Sequence, residues 1–258
     1  METELFKWGD ASSRTQAIAH GFGIIVASFL IGAIVLPLAV MQMLDPLYPI
    51  VIDGDITMGG NLLLASIQFL GFIGVVVFYL RRTGSDLVKV TMPSWRDLAW
   101  IFGGFILLYA VAGVLAWLIS ALGLDVATNA VIETGRENPE YFLYMIPVSL
   151  LLVGPGEELL FRGVVQGLFR RAFGLVPAIV VTSILFGGVH YLALVGEGQF
   201  AYIAIAIGLG LVLGTVYELS GTIVVPIVIH GLWNALLFTV QWYGATNPEV
   251  FGAATLLF

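Results

Sequence analysis

The sequence predicts an all-α fold, a polytopic transmembrane helical bundle of about seven spans with its N-terminus in the cytoplasm. Three observations predict it. First, 59% of the 258 residues are hydrophobic and only 10% are charged, against roughly 25% charged in an ordinary soluble domain, and mean hydropathy is +1.01. Second, seven apolar stretches, near 16–43, 58–80, 98–121, 141–161, 175–194, 199–218 and 221–243, are each about as long as the 20 or so residues a helix needs to cross hydrocarbon. Third, nine of the ten Lys and Arg residues fall on one side of the resulting alternation. Short cytoplasmic loops are enriched in these residues, so that side is the cytoplasmic one.

The elements follow in order. Span one opens after Glu2, Glu4, Lys7, Asp10 and Arg14; this segment lacks the basic-then-apolar design and small-residue cleavage site of a removable leader, so the first apolar run is expected to stay. Asp53 and Asp55 lie in the external loop before span two, which ends at Arg81 and Arg82, and Lys89 and Arg96 lead into span three. The loop 122–140 carries Asp125, Glu133, Glu137 and Glu140 around Arg136, the one basic residue on the outer side. Span four ends at Arg162, and residues 164–173, which mix apolar positions with Arg170 and Arg171, are expected to lie along the cytoplasmic interface. No eighth crossing is expected in the last ten residues. The expected organisation is a cytoplasmic N-terminal segment (1–15), accessory spans with their loops (16–140), a catalytic transmembrane core (141–243) and a C-terminal tail (244–258). With no cysteines, disulfides, thiolate metal sites and cysteine nucleophiles drop out. A net charge of −7 and a pI near 4.8 argue against a nucleic-acid partner, which would need a basic face.

The late spans carry the polar intrusions. An ionisable side chain in hydrocarbon costs several kcal/mol by most measures, so it marks a functional site by default. Span four ends Gly154-Pro155-Gly156-Glu157-Glu158-Leu159-Leu160-Phe161-Arg162-Gly163. Proline and two glycines weaken the helix ahead of the acids, and broken backbone at that depth needs protein or water to satisfy it. Glu158 and Arg162 are four apart with the acid first, the favourable order for an ion pair; Glu157, about 100° round the helix, is left to face something else. The plainer reading is a solvated charge cluster at a helix end. Span five carries Phe186 and His190, and span seven His230 and Asn234, each pair one turn apart on one face. A lone membrane histidine is commonly a satisfied structural group; imidazole and carboxamide aligned deep in one span demand a polar partner. At about 1.5 Å per residue, Glu157, His190, His230 and Asn234 lie roughly 14–22 Å from the cytoplasmic ends of their spans, so they can meet.

Glu157-Glu158-x-x-x-Arg162, Phe186-x-x-x-His190 and His230-x-x-x-Asn234, in that order on successive late spans, resemble the CAAX protease and bacteriocin-processing family of intramembrane endopeptidases. The resemblance covers about residues 141–240. It implies a helical bundle with a polar cavity open to the cytoplasm, and a lipid-embedded peptidase acting on a membrane-tethered peptide, the prenylated CAAX type included. The residues themselves suit that chemistry. Hydrolysis without a Ser, Thr or Cys nucleophile needs an activated water, a base and donors for the oxyanion. Glu157 and His190 suit the water, His230 and Asn234 the oxyanion, with Phe186 toward the substrate. No cofactor is expected; the alternative is a zinc site of Glu157, His190 and His230, disfavoured because its ligands come from three separate helices and Asn234 is a poor zinc ligand. The expected partners are the lipid bilayer and a peptide or prenylated protein, in a monomer or homodimer. Competing readings are a non-catalytic scaffold or bacteriocin-immunity protein that keeps the motifs, and a proton-relay transporter, for which no repeat-related pair of broken helices is seen. His20 reads as interfacial and Glu218 as solvated at a helix end. Gly210-x-x-x-Gly214 reads as a close-packing face, and Trp95, Trp100, Tyr141, Trp242 and Tyr243 read as interfacial belts.

Overall fold

The computed structural model describes residues 4–251. Among the described residues seven helices are long and apolar enough to span a membrane: α1 (Ala11–Leu44), α2 (Met58–Thr83), α3 (Trp95–Ala121), then, after the short α4 (Ala130–Glu137), α5 (Glu140–Phe173), α6 (Leu175–Ala193), α7 (Gln199–Ser220) and α8 (Val224–Thr246). The protein is thus an integral multi-pass helical bundle, as composition demands: in hydrocarbon a helix is one of only two folds that satisfy every backbone group internally. Helix starts are set by side chains that accept otherwise orphaned N–H groups. Asp10 accepts from Ser13 N at 2.7 Å, Thr57 from Gly60 N at 3.0 Å, and Ser94 with Asp97 forms a reciprocal capping box at α3. Gly84 and Gly221, at φ 60° and 78°, end α2 and α7 in the left-handed conformation that glycine adopts without strain.

One expectation is corrected at α5. Residues 164–173 do not lie along the interface; they continue a single 34-residue helix whose Val164, Val165, Phe169 and Ala172 are buried. The helix is not broken at Gly154-Pro155-Gly156 either. Ser149–Val153 and Leu159–Val165 are wound as π-helix, and the flanking amides reach back five residues, Gly154 N–H to Ser149 O and Gln166 N–H to Phe161 O. Pro155 has no N–H to give the preceding turn, and the wider turns on either side absorb that mismatch without interrupting the helix.

The two ends of the bundle differ in chemistry. At one end the N-terminal segment lies along α5, with Lys7 N–H on Phe173 O and Gly9 N–H on Ala172 O, both at 2.9 Å. There Arg171 pairs with Asp86 and holds that carboxyl below the usual carboxylate range, while Ile223 N–H meets Lys89 O. At the other end are a hairpin, β1 (Val51–Ile52) with β2 (Asp55–Ile56), and a second antiparallel pair, β3 (Thr128–Asn129) with β4 (Leu194–Val195). The basic end is the one the positive-inside rule assigns to the cytoplasm.

Two aromatic and aliphatic cores flank α5 and α7. One gathers Phe72, Phe161, Phe169 and Phe186 among others; the second centres on Leu108, Leu213, Ile229 and Trp233. Tyr141, expected in an interfacial belt, is instead buried with Ile132 and Phe142, because α4 folds over the start of α5. The tail expected over 244–258 begins as the end of α8 and a turn of helix, Pro248–Phe251; its residues 252–258 lie outside those described, as does most of the segment in which no eighth crossing was expected.

Candidate functional site

The site forms where α5 crosses α8. A Cβ on Gly154 would lie 3.0 Å from Ile227 O and 3.3 Å from Gly231 N, and one on Gly231 would lie 3.1 Å from Leu150 Cα. Backbone here meets backbone, which small residues alone permit. One turn further along α5, the same crossing brings the Glu157-Glu158 pair to His230, the residue before Gly231.

Glu158 is fully buried and its Oε1 accepts twice, from Arg162 Nη1 at 2.9 Å and from His230 Nδ1 at 2.8 Å. The acid and base expected to pair do so. Arg162, 1% exposed, also reaches Gly210 O at 3.4 Å and lies 4.2 Å above the centre of the Phe186 ring, so its charge is met by a carboxylate, a carbonyl and a π-face. Because a carboxylate already paired with a guanidinium can only accept, the hydrogen bond assigns the imidazole proton to Nδ1 of His230 and leaves Nε2 turned toward Glu157. His230 Nε2 stands 3.8 Å from Glu157 Oε2, and that carboxylate oxygen is buried without a hydrogen-bond partner. Such an atom is costly to leave bare.

The remaining expected residues sit around this core. Phe186 is buried and packs edge-on against His190 and His230, at centroid distances of 4.7 and 6.0 Å; its ring faces the site's own side chains. His190 ends α6 in a 3₁₀ turn, with Nδ1 2.7 Å from Phe186 O, which frees Nε2. It adjoins the core through Phe186 and lies beside Tyr202, 6.2 Å away. Asn234 is half-buried on α8, one turn beyond His230. Among the described residues no three His, Cys, Asp or Glu side chains gather closely enough to hold one ion.

Sequence reasoning missed the continuation of the cluster. Gln166, fully buried, donates Nε2 to Gly214 O at 3.2 Å and to Glu218 Oε1 at 2.9 Å, and Glu218 Oε2 meets Arg170 at 2.7 Å. Glu218, expected to be solvated, is therefore a sequestered, fully engaged carboxylate, because α7 is drawn against α5 by its glycines. The signal was present: Glu158, Arg162, Gln166 and Arg170 recur every four residues, and so do Gly210, Gly214 and Glu218 on α7, a polar ridge facing a glycine groove. Tyr202, whose ring lies beside that of His190, was also missed.

Comparison with known proteins meets the same stretch of chain. Residues 139–236 match the family model of the type II CAAX prenyl endopeptidase Rce1-like proteins. The chain is also similar to the membrane-embedded CAAX protease MroQ of Staphylococcus aureus (strain USA300), 26% identical over 178 residues, 65% of this chain and 66% of that protein's length. No solved structure matches. The matched segment contains every residue of the Glu158–Arg162–His230 cluster, so the similarity to CAAX protease-type membrane proteins runs through the site itself.

Proposed function

We propose that the protein is an intramembrane endopeptidase that hydrolyses a peptide bond of a membrane-tethered substrate, the prenylated CAAX type included, with water activated by glutamate and histidine. The observation that carries this reading is the bare, buried Glu157 Oε2 facing His230 Nε2 at 3.8 Å. Two acceptors that close together call for a donor between them, and a water set to one side of the line joining them satisfies both.

Glu158 acts as the positioning residue. Anchored by Arg162, it orients the imidazole so that Nε2 accepts one hydrogen of the water while Glu157 accepts the other. As the water oxygen attacks the scissile carbonyl carbon, Glu157 takes its proton; when the tetrahedral intermediate collapses and the C–N bond breaks, Glu157 returns that proton to the leaving amine. Asn234 offers its amide N–H to the oxyanion, and His190, with Nδ1 occupied by the Phe186 carbonyl, turns Nε2 to the substrate. This gives His230 rather than His190 the water, a division of labour that follows from which imidazole meets Glu157. The peptide would enter from the cytoplasmic side, where a tethered substrate is held at the membrane surface.

The experiment is incubation of the purified full chain in lipid with a panel of prenylated and unprenylated peptides, with mass spectrometry of the products. Defined cleavage by the parent, abolished by Glu157→Gln in a protein of unchanged thermal stability, is the expected result. A folded parent that binds peptide and cuts none would replace this reading with the scaffold or immunity alternative.

A further inference from the structure

Away from the proposed site, α1 and α2 enclose a cavity of about 770 Å³ that opens toward lipid, within the roughly 300–1,000 Å³ range of small-molecule sites. Its lining is sorted by polarity. From Ile67 to Phe78 on α2 and from Gly23 to Val40 on α1 every lining side chain is apolar, and the four polar members, His20, Tyr79, Arg82 and Thr83, all lie at its basic end. At 1.5 Å per residue, Ile67 to Thr83 spans about 24 Å, most of the roughly 30 Å hydrocarbon thickness.

The trough is open because of two glycines. A Cβ on Gly23 or on Gly74 would meet nothing within 4 Å, so neither is needed for helix packing. Gly71, by contrast, seats α2 on Gly32 of α1, its Cβ position 2.6 Å from Gly32 Cα, and this close approach forms the floor. At the mouth, His20 Nδ1 and Tyr79 OH are hydrogen-bonded at 2.9 Å, and Arg82 is exposed without an ion pair among the described residues. Among those residues no carboxylate lines the cavity.

We propose that this groove is a binding site for one anionic phospholipid of the cytoplasmic leaflet, an acyl chain lying in the Gly23–Gly74 trough and the phosphate at Arg82, with His20 and Tyr79 as hydrogen-bonding partners. The segregation of an apolar trough from a cationic, donor-rich mouth selects the occupant. A peptide would leave backbone groups unpaired against the trough, and a zwitterionic lipid would bring its own cation to Arg82. The site is independent of the proposed hydrolysis.

The test is native mass spectrometry of the full chain in detergent, stripped of lipid and titrated with phosphatidylglycerol and with phosphatidylcholine. One saturable phosphatidylglycerol per chain is expected, favoured about fivefold over phosphatidylcholine, the weight of one basic residue near an anionic headgroup. Arg82→Gln should abolish the preference. Gly74→Leu and Gly23→Leu, which fill open space, should each cut occupancy by roughly tenfold at unchanged melting temperature, because the new side chain displaces a few acyl methylenes from the trough. Should one glycine variant fail to fold, the other and Arg82→Gln carry the test. Equal retention of both lipids, or full occupancy in a folded glycine variant, overturns the proposal. So does one-for-one displacement of the phospholipid by a prenylated peptide, which would assign the groove to substrate.

Discussion

Arg162→Met is the sharpest probe of how the site is held together. The guanidinium is 1% exposed and is one of the two partners of a carboxylate oxygen that is itself 0% exposed. Removing one partner of a buried pair strands the other charge, at a cost of about 3–5 kcal/mol, a large share of the roughly 5–15 kcal/mol that holds a folded chain together. At about 2–4 °C per kcal/mol for a chain of this size, the melting temperature should fall by roughly 6–20 °C. Replacing both partners with apolar residues of similar volume is often neutral or stabilising, so Glu158→Leu with Arg162→Met should recover most of that loss. Cleavage should stay absent in the double variant, because His230 Nδ1 then has no anchor and its ring is free to turn. Thermal unfolding in detergent, read beside peptide hydrolysis, separates the two effects. An Arg162→Met protein that melts within about 2 °C of the parent, less than 1 kcal/mol by the same scale, would refute this account, as would a double variant that cleaves like the parent.

Other outcomes follow from the same geometry. Glu157→Gln should lower the cleavage rate by about 10²–10⁴ while leaving the melting temperature unchanged, since Glu157 Oε2 has no hydrogen bond to lose; loss of the folded protein would point to a structural role. Gly231→Leu forces a side chain against Leu150 Cα, where even a Cβ would sit 3.1 Å away; a loss of about 1–3 kcal/mol and of activity is expected, and a variant as stable as the parent would contradict the backbone crossing. Gln166→Leu leaves Glu218 with Arg170 alone and should cost about 1–3 kcal/mol with cleavage retained in the folded fraction; a rate loss at full stability would place Gln166 nearer the chemistry than described. Hydrolysis should survive strong chelation and dialysis, and loss of activity restored by added zinc would reverse the preference for a metal-free reaction.

The spans and the Glu158–Arg162 pair were legible in the sequence because each rests on a local rule: run length in hydrocarbon for the first, four-residue spacing on one helix for the second. The choice of imidazole for Glu157 was not. Glu157, His190 and His230 lie on three helices, and which ring meets the carboxylate depends on the Gly154–Gly231 crossing, where residues far apart in the chain touch. The broken helix expected at Gly154-Pro155-Gly156 came out as flanking π turns, since a widened turn answers proline's missing donor within the helix itself. Glu218 looked solvated because its only visible context was a helix end; its burial comes from the match between the Glu158–Gln166 ridge and the Gly210–Gly214 groove, a pattern readable only when two helices are compared.

The outer strand pair joins segments separated by two membrane crossings. Thr128, ahead of α5, bonds with the strand that follows α6 at Val195, so this ladder has no partner until both helices have been threaded into the bilayer. During synthesis this ladder can therefore close only after both helices, the one carrying Glu157 and Glu158 included, have crossed.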